Sequence, residues 1–316
     1  TSGRTQPAPM PLLTAKSPLG RQIVFPTAKS LIEFGPDGRR DIDIDEQVVE
    51  AIVENPDTGD GIIWFNSGKV GNTYSTNYWF TNPNLPSPSS GTLPGMTVSS
   101  AFCEGIAYAV VEDQSQLSWD GPLTNWLYRV DPKGGAEIIG EWKFPASKRP
   151  VSRRAVCSDD GLSMAALYTD REGSGNPDMS PLLKIEINIS DASITEYELL
   201  GPGEGWRVPT KAVGALNGRM YWANTAGQIY STAIQGLDPA RLEYEIRTDS
   251  LHDKIIISGK NVYLLVHSSE SKLVAYDLAS GKNESSEIDL SWLSSVAGSE
   301  TESGQSTRTV ADLTLF

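Results

Sequence analysis

Short runs of apolar residues, each bounded by turn-forming residues, recur along most of the chain. Near the C-terminal end these runs are Lys254 to Ser258, Val262 to Val266 and Lys272 to Leu278, with Gly259-Lys260 and Ser280-Gly281 as the turns. Runs of this length that are rich in valine, isoleucine and tyrosine are typical of β-strands, and glycine-containing pairs are typical of tight turns. The pattern predicts short antiparallel strands, and no long helical pattern interrupts it.

The strand pattern repeats about every 50 residues. Six segments can be superimposed at intervals of 43 to 57 residues: Glu50-Ala-Ile, Ser100-Ala-Phe, Arg154-Ala-Val, Lys211-Ala-Val, Lys254-Ile-Ile and Arg308-Thr-Val. A repeat of this length that is built from four short strands predicts a radially repeated, all-β architecture.

The two ends of the chain together supply one repeat. Three predicted strands match the second to fourth strands of a repeat: Gln22 to Thr27, Ser30 to Phe34 and Asp41 to Asp45. The missing first strand is Arg308 to Leu313, so strands from both termini share one repeat and leave no open sheet edge. This interpretation predicts six repeats. Seven is the alternative, in which Leu293 to Glu300 begins a further repeat.

From about Gly20 to Phe316, the strand order and the period resemble the β-propeller superfamily. The resemblance implies an all-β fold, a six-bladed β-propeller of four-stranded antiparallel blades, with seven blades as the alternative. It extends to no subfamily, because Ser158-Asp-Asp-Gly161 is only a fragment of the sialidase box. We expect residues 17–316 to form this single domain. Residues 1–16, which contain three prolines, are expected to form a flexible tether.

The charge and composition of the chain limit the kinds of partner and the cellular location that we expect. The 316-residue chain has a formal net charge of -14 and no basic run longer than a pair, so we exclude nucleic acid as a partner. No apolar run approaches the roughly 18 to 20 residues that cross a bilayer. The opening Thr1-Ser-Gly and the polar composition resemble mature exported bacterial proteins, lipoproteins among them. We expect an extracytoplasmic location, secreted or anchored to the cell envelope, with membrane contact only through an N-terminal lipid anchor. A cytosolic protein is the alternative.

The first strand of each blade in a propeller borders the central channel. The leading positions of the repeats would therefore form a ring: Glu50, Ser100, Arg154, Lys211, Lys254 and Arg308. Four of these are cations, which repel one another unless an anion compensates their charge. The ring predicts a site for a phosphate, carboxylate or sulfated group. The alternative is that the cations pair with acidic side chains of neighbouring blades.

The long predicted loops all leave one face, the face on which the first strands begin, and we call it the loop-rich face. These loops are Thr81 to Met96, Asp113 to Thr124, Asp170 to Ser180, Gly201 to Pro209 and Ser291 to Thr307. Long loops on a rigid scaffold commonly bind ligands. Trp119, Trp206 and Trp292 lie in them and suit an anionic small molecule, a glycan or a protein partner. The alternative is that these tryptophans only hold the loops against the body of the protein.

Motifs for catalysis are absent from the sequence. The two histidines, His252 and His267, belong to no metal-ligand spacing, and no nucleophile elbow or phosphate-binding glycine loop occurs. We assign no catalytic residue, no metal and no cofactor, and we favour a non-catalytic binding or scaffold module. The alternative is a propeller hydrolase of the glycosidase or lactonase type. Its candidate carboxylates are Glu50, Asp120, Asp170 and Asp253.

Cys103 and Cys157 lie three residues after the leading positions Ser100 and Arg154 of adjacent repeats. The predicted fold therefore makes the two cysteines neighbours. One interpretation is a disulfide bond, as is common in exported proteins. The other is two small buried thiols whose Cα atoms lie beyond the ~7 Å limit for bridging.

Overall fold

The chain is all-β in the residues that the structure describes. The computed structural model describes residues 23–26, 30–35, 38–43, 48–54, 60–70, 73–81, 89–116, 121–133, 135–171, 180–202, 212–247, 254–266, 272–284, 288–289 and 314–315. Within these ranges the regular elements are strands β1 to β24, with one 3-10 helix at Gln114–Gln116. No helix in the described part of the chain is long and apolar enough to span a membrane.

The strands form four-stranded meanders, which we number in chain order. The first meander contains β1 (Ile23–Pro26), β2 (Ser30–Gly35), β3 (Gly38–Asp43) and β24 (Thr314–Leu315), in the order β24-β1-β2-β3. The second contains β4 (Val48–Glu54), β5 (Gly61–Val70), β6 (Thr73–Thr81) and β7 (Ser89–Pro94). The third contains β8 (Met96–Cys103), β9 (Ile106–Glu112), β10 (Leu123–Val130) and β11 (Ala136–Phe144).

The remaining strands continue the same order. The fourth meander contains β12 (Lys148–Cys157), β13 (Ser163–Asp170), β14 (Leu182–Asn188) and β15 (Ile194–Leu200). The fifth contains β16 (Val213–Leu216), β17 (Arg219–Ala223), β18 (Gln228–Ala233) and β19 (Arg241–Glu245). The sixth contains β20 (Lys254–Ser258), β21 (Asn261–Val266), β22 (Lys272–Asp277) and β23 (Ile288–Asp289).

The first strands of the third and fourth meanders, β8 and β12, lie side by side in parallel. A single parallel bridge between Ser100 of β8 and Arg154 of β12 joins the two meanders into an eight-stranded sheet. Ser100 and Arg154 are the leading positions of two successive repeats, so this bridge confirms the alignment of these two repeats.

The first strands converge on one axis. The guanidinium of Arg154 on β12 donates to the carbonyl oxygens of Ile52 on β4 and Ile257 on β20, each at 3.1 Å. One side chain thus spans the first strands of three meanders that are about 100 residues apart in sequence. The second strands β9 and β13 are buried, whereas the fourth strands β11, β15 and β19 are largely exposed. Meanders that radiate from a shared axis in this way form a β-propeller.

Packing near the axis explains the small residues after the leading positions. Ala51, Ala101, Ala155 and Ala212 are all buried. Gly214 of β16 lies so close to β20 that a Cβ there would be 2.4 Å from Cγ2 of Ile257. First strands crowd around an axis, so only small side chains fit between them.

Tight turns connect the first and second strands, as the sequence predicts. Glu104 and Gly105 have φ of 52° and 78°, and Asn217 and Gly218 have φ of 51° and 71°. Two successive positive φ values are characteristic of the type I′ turn, whose twist matches that of the flanking strands. These turns lie on the face opposite the loop-rich face, and we call it the short-turn face.

A buried lysine joins the fourth and fifth meanders. Lys184 of β14 is fully buried, and its Nζ donates to the carbonyl oxygens of Ala233 at 2.8 Å, Ile234 at 3.2 Å and Gly236 at 2.5 Å. Burial lowers the pKa of Lys184. The three carbonyls nevertheless favour the charged amine, because an ammonium group has three donors and no acceptor.

Where the sequence contains a clear apolar run, the observed strand lies close to the predicted position. The predicted strands Lys254 to Ser258 and Val262 to Val266 coincide with β20 and β21, the latter starting one residue earlier at Asn261. At the C-terminal end the structure describes β24 at Thr314–Leu315. The predicted strand Arg308 to Leu313 lies outside the described residues.

Candidate functional site

A pocket of about 350 Å³ opens at the axis on the short-turn face, and we call it the axial pocket. The first strands of five meanders supply its walls near their C-terminal ends: β4, β8, β12, β16 and β20. Pockets formed where several elements converge on rigid backbone are common ligand sites in proteins.

A buried ion pair lies on the inner wall of the axial pocket. Arg154 binds Glu54 through two contacts, Nη2 to Oε2 at 2.6 Å and Nη1 to Oε1 at 3.1 Å, and the two side chains are only 7% and 4% exposed. A bidentate guanidinium–carboxylate pair fixes both side chains in one geometry. The charge of Arg154 is therefore neutralised within the protein.

Two polar atoms beside this pair have no hydrogen-bond partner among the described residues. They are Nε of Arg154 and Oγ of Ser100, which sits opposite Arg154 in the parallel bridge. Buried polar groups in folded proteins are nearly always satisfied by protein, ligand or ordered water. Both atoms are closed to solvent within the wall of the pocket.

A disulfide forms another part of the wall. Cys103 at the end of β8 is bonded to Cys157 at the end of β12, with the Cα atoms 5.4 Å apart. The sequence left a disulfide and two free thiols open. The structure shows the disulfide, because the parallel bridge brings the two first strands within the Cα distance that a disulfide spans.

Two carboxylates lie at the rim of the axial pocket. Glu104 follows β8 and Asp159 follows β12, and both line the pocket. The side chain of Glu104 lies over Gly161, where a Cβ would be 2.8 Å from its Cδ, and Oδ2 of Asp159 lies over Gly218. Each rim carboxylate thus leans onto the first turn of the next meander. Neither has a hydrogen-bond or ion-pair partner among the described residues.

A second charged cluster lies at the opposite end of the first strands. Arg153 pairs with Glu50 at 2.6 Å and donates to the carbonyl oxygen of Thr97 at 2.6 Å. Glu112, at the end of β9, accepts from Arg149 at 3.2 Å and from Gln114. We call these groups the loop-side cluster.

Glu112 is the carboxylate with the most unusual environment in the loop-side cluster. Burial raises the pKa of Glu112 above its ordinary 4.5, although the guanidinium groups of Arg149 and Arg153 lower it. Tyr168 is buried nearby, and its hydroxyl has no hydrogen-bond partner among the described residues. Burial raises the pKa of Tyr168, and the charge of Glu112 raises it further. A carboxylate in so dry a place is partly protonated at a higher pH than usual.

The predicted site residues fall into different places. Arg154 lines the axial pocket, Glu50 belongs to the loop-side cluster, and Lys254 is exposed at the start of β20. The other predicted positions lie outside the described residues: Lys211, Arg308, Trp119, Trp206 and Trp292.

Sequence reasoning missed the residues that make the axial pocket acidic. Glu54 lies four positions after the leading residue Glu50, while Glu104 and Asp159 follow the two cysteines. The superimposed repeats contain this signal, because they place Glu104 and Asp159 in the first turns of adjacent meanders. This signal lies in the turns just beyond the two cysteines, to which the comparison of the repeats did not extend.

No protein-family model matches the sequence, and neither does any curated protein. Several solved structures resemble its fold at low identity. A mutant of the apocarotenoid oxygenase from Synechocystis is 12% identical, with 86% of this chain and 70% of that chain covered and a TM-score of 0.47. The putative TolB from Agrobacterium tumefaciens is 11% identical, with 85% and 89% covered and a TM-score of 0.45.

The β-propeller domain of the Trilobed protease from Pyrococcus furiosus is 12% identical, with 83% of this chain and 86% of that chain covered and a TM-score of 0.43. The assignment of the fold rests on the strand topology and on the convergence of the first strands. On that basis the chain is a β-propeller.

Proposed function

We propose that the chain is a six-bladed propeller whose N- and C-terminal strands close one blade, and that it is a non-catalytic extracytoplasmic binding or scaffold module. The order β24-β1-β2-β3 supports closure, since β24 pairs with β1 through Ile23–Leu315 and Val24–Thr314. The observation that supports the proposed binding function is the axial pocket. It is preformed, because an ion pair and a disulfide hold its walls, and a preformed site binds at a lower entropic cost.

The disulfide supports the proposed location. Disulfides persist in oxidising compartments and are rare in the cytosol. The bond between Cys103 and Cys157 therefore favours a secreted or envelope-anchored protein over a cytosolic one. Anchoring would act through the N-terminal tether predicted for residues 1–16.

Library screening by ligand-observed NMR tests the axial pocket as a binding site. Ala215 lines the pocket, so Ala215→Leu should fill part of it, whereas Ala226→Leu adds the same bulk on an exposed turn. The library contains amino acids, sugars, organic acids and short peptides. We expect compounds that bind the wild type and Ala226→Leu but not Ala215→Leu. Binding that Ala215→Leu leaves intact, or no binding at all, would contradict the proposal.

The loop-rich face is the second proposed contact surface, for an anionic small molecule, a glycan or a protein partner. Lys254 is exposed there and thus open to a ligand. The proposal includes Lys211, Arg308 and the three loop tryptophans. Replacing Lys211 and Lys254 by glutamine should abolish binding of an anionic ligand and leave the melting temperature nearly unchanged. A variant that fails to fold would show instead that the two lysines are structural.

A propeller hydrolase is the second candidate, and the environment of Glu112 favours it. A carboxyl group with a raised pKa suits a general acid, and Glu50 is linked to Glu112 through Arg153. The test is hydrolysis of chromogenic glycosides and lactones by the wild type and by Glu112→Gln. Turnover that Glu112→Gln abolishes would establish the hydrolase. Absence of turnover on the whole panel would leave the binding module as the better account.

A further inference from the structure

The two halves of the disulfide between Cys103 and Cys157 are buried to different extents. Cys103 is 2% exposed and belongs to the hydrophobic core of the third and fourth meanders, whereas Cys157 is partly exposed and packs against that core. Both residues line the axial pocket. A thiolate that breaks a disulfide must attack one of its two sulfur atoms directly, so access helps to decide which sulfur reacts. The unequal burial therefore makes Cys157 the half that a reagent in the pocket meets.

The axial pocket provides a route to this bond. Its volume of about 350 Å³ lies in the range of small-molecule sites in proteins, so a thiol with a few non-hydrogen atoms fits inside it. The pocket is open on the short-turn face of the folded protein. A small thiol can therefore reach the disulfide without unfolding of the chain.

Other contacts hold the same two strands together. The disulfide joins the ends of β8 and β12, and it is the only one that the sequence allows, because the chain has two cysteines. Farther from the short-turn face, Ser100 and Arg154 form the parallel bridge, and Arg153 donates to the carbonyl oxygen of Thr97 at 2.6 Å. Loss of the disulfide therefore frees the ends of the two strands in the pocket wall and leaves their other contacts in place.

We infer that the disulfide is a reducible site that a small thiol reaches through the axial pocket, and that its reduction loosens one wall of the pocket while the ring stays assembled. The thiolate attacks Sγ of Cys157, forms a mixed disulfide there and releases the thiolate of Cys103. A second thiolate attacks the sulfur of the attached thiol and releases Cys157. Two thiols are oxidised to one small disulfide, and their two electrons and two protons pass to the two cysteines. This inference goes beyond the proposed function, because it requires no bound ligand.

The rim of the pocket influences which thiols react fastest. Glu104 directly follows Cys103, Asp159 follows Cys157 by two positions, and both carboxylates line the pocket. A cleft lined by charge of one sign attracts reagents of the opposite sign and repels those of the same sign. The positively charged thiol cysteamine should therefore reduce the disulfide faster than the negatively charged mercaptoacetate.

Reduction kinetics of the folded protein test the inference. The protein is incubated with either thiol, quenched with acid and alkylated with N-ethylmaleimide in denaturant, and peptide mass spectrometry locates the attached thiol. We expect a rate proportional to thiol concentration, a mixed disulfide on Cys157 and an unchanged circular dichroism spectrum after reduction. The inference is wrong if the folded protein is not reduced, if the mixed disulfide forms mainly on Cys103, or if reduction unfolds the protein.

Matched variants show whether the thiol passes through the pocket. Ala215→Leu should slow the reduction because its added bulk fills part of the pocket, whereas Ala226→Leu, on an exposed turn, should react like the wild type. In urea-unfolded protein these two variants should react equally, which assigns the difference to the pocket. Glu104→Gln with Asp159→Asn should lower the ratio of the cysteamine rate to the mercaptoacetate rate by about tenfold or more. Glu284→Gln, which removes an exposed charge outside the pocket lining, should keep the wild-type ratio.

The outcomes separate this inference from the proposed function. If Ala215→Leu is reduced as fast as the wild type, or if the rim variant keeps the wild-type ratio, the thiol does not pass through the pocket and the inference fails. If compounds of the library bind in the pocket while the folded protein is not reduced, the inference fails alone. If thiols reduce the disulfide through the pocket while no compound binds there, the proposed function fails and the inference stands.

Discussion

Loss of Arg154 should destabilise the fold far more than loss of a surface arginine. Arg154→Met leaves the carboxylate of Glu54, which is 4% exposed, without a counter-ion. It also removes the donors from the carbonyl oxygens of Ile52 and Ile257. Breaking a buried ion pair by removing one partner costs about 3–5 kcal/mol. Each abandoned carbonyl adds ~1 kcal/mol, although the terms overlap. We therefore expect a loss of about 4–6 kcal/mol in the free energy of unfolding.

The matched control is Arg129→Met. Arg129 pairs with Glu137 at 2.8 Å, but the two side chains are 37% and 59% exposed. Solvent screens such a pair, so the free energy of unfolding of this variant should stay close to that of the wild type. Urea unfolding followed by tryptophan fluorescence gives both free energies, and the eight tryptophans provide the signal.

A double variant separates the charge effect from simple loss of packing. Glu54→Gln combined with Arg154→Met removes both charges, so it should recover about 2 kcal/mol relative to Arg154→Met alone, since no unpaired charge stays buried. The reasoning would be refuted if Arg154→Met were as stable as Arg129→Met. It would also be refuted if the double variant were no more stable than the Arg154→Met single variant.

Three further predictions follow from the same structure. Replacing Cys103 and Cys157 by serine should lower the free energy of unfolding by up to ~4 kcal/mol, which is the chain-entropy value for a loop of about 50 residues. Urea titrations of the wild type with and without a reducing agent check this prediction. Equal unfolding midpoints under the two conditions would contradict it. Because burial raises the pKa of Glu112 above 4.5, its contribution to stability is fully present below that pH and is lost as the pH rises through the folded-state pKa. The stability of the wild type relative to Glu112→Gln should therefore increase as the pH falls from 7 toward 4, and a pH-independent difference would show that the pKa is not raised. Gly214→Ala should lower the free energy of unfolding by about 1–3 kcal/mol, because the new Cβ would be 2.4 Å from Cγ2 of Ile257. The control is Gly201→Ala, where a Cβ has no neighbour within 4 Å. Equal melting temperatures of the two variants would argue against the close approach of β16 and β20.

Local sequence patterns were sufficient to predict the strands, the turns and the repeats. The apolar run at Lys254 to Ser258 predicted β20, and the Asn217-Gly218 pair predicted the turn after β16, because both depend on interactions between residues close in sequence. The superimposed leading positions Ser100 and Arg154 predicted which residues of adjacent first strands would meet. A regular repeat imposes the same geometry on each unit, so one register carries over to the next.

The sequence by itself determined the all-β class, the meander of each repeat and the closeness of Cys103 to Cys157. Only the tertiary structure decided that Arg154 binds Glu54 rather than an anion, that the cysteines are bonded, and that acidic side chains surround the axial pocket. Strand pattern and turn type follow from the preferences of neighbouring residues. The partner of a charged side chain at the axis depends on which of the five converging first strands places an opposite charge within about 3 Å of it. Arg154 and Glu54 are 100 residues apart in sequence and meet only when the ring assembles, so neighbouring residues do not determine this pairing.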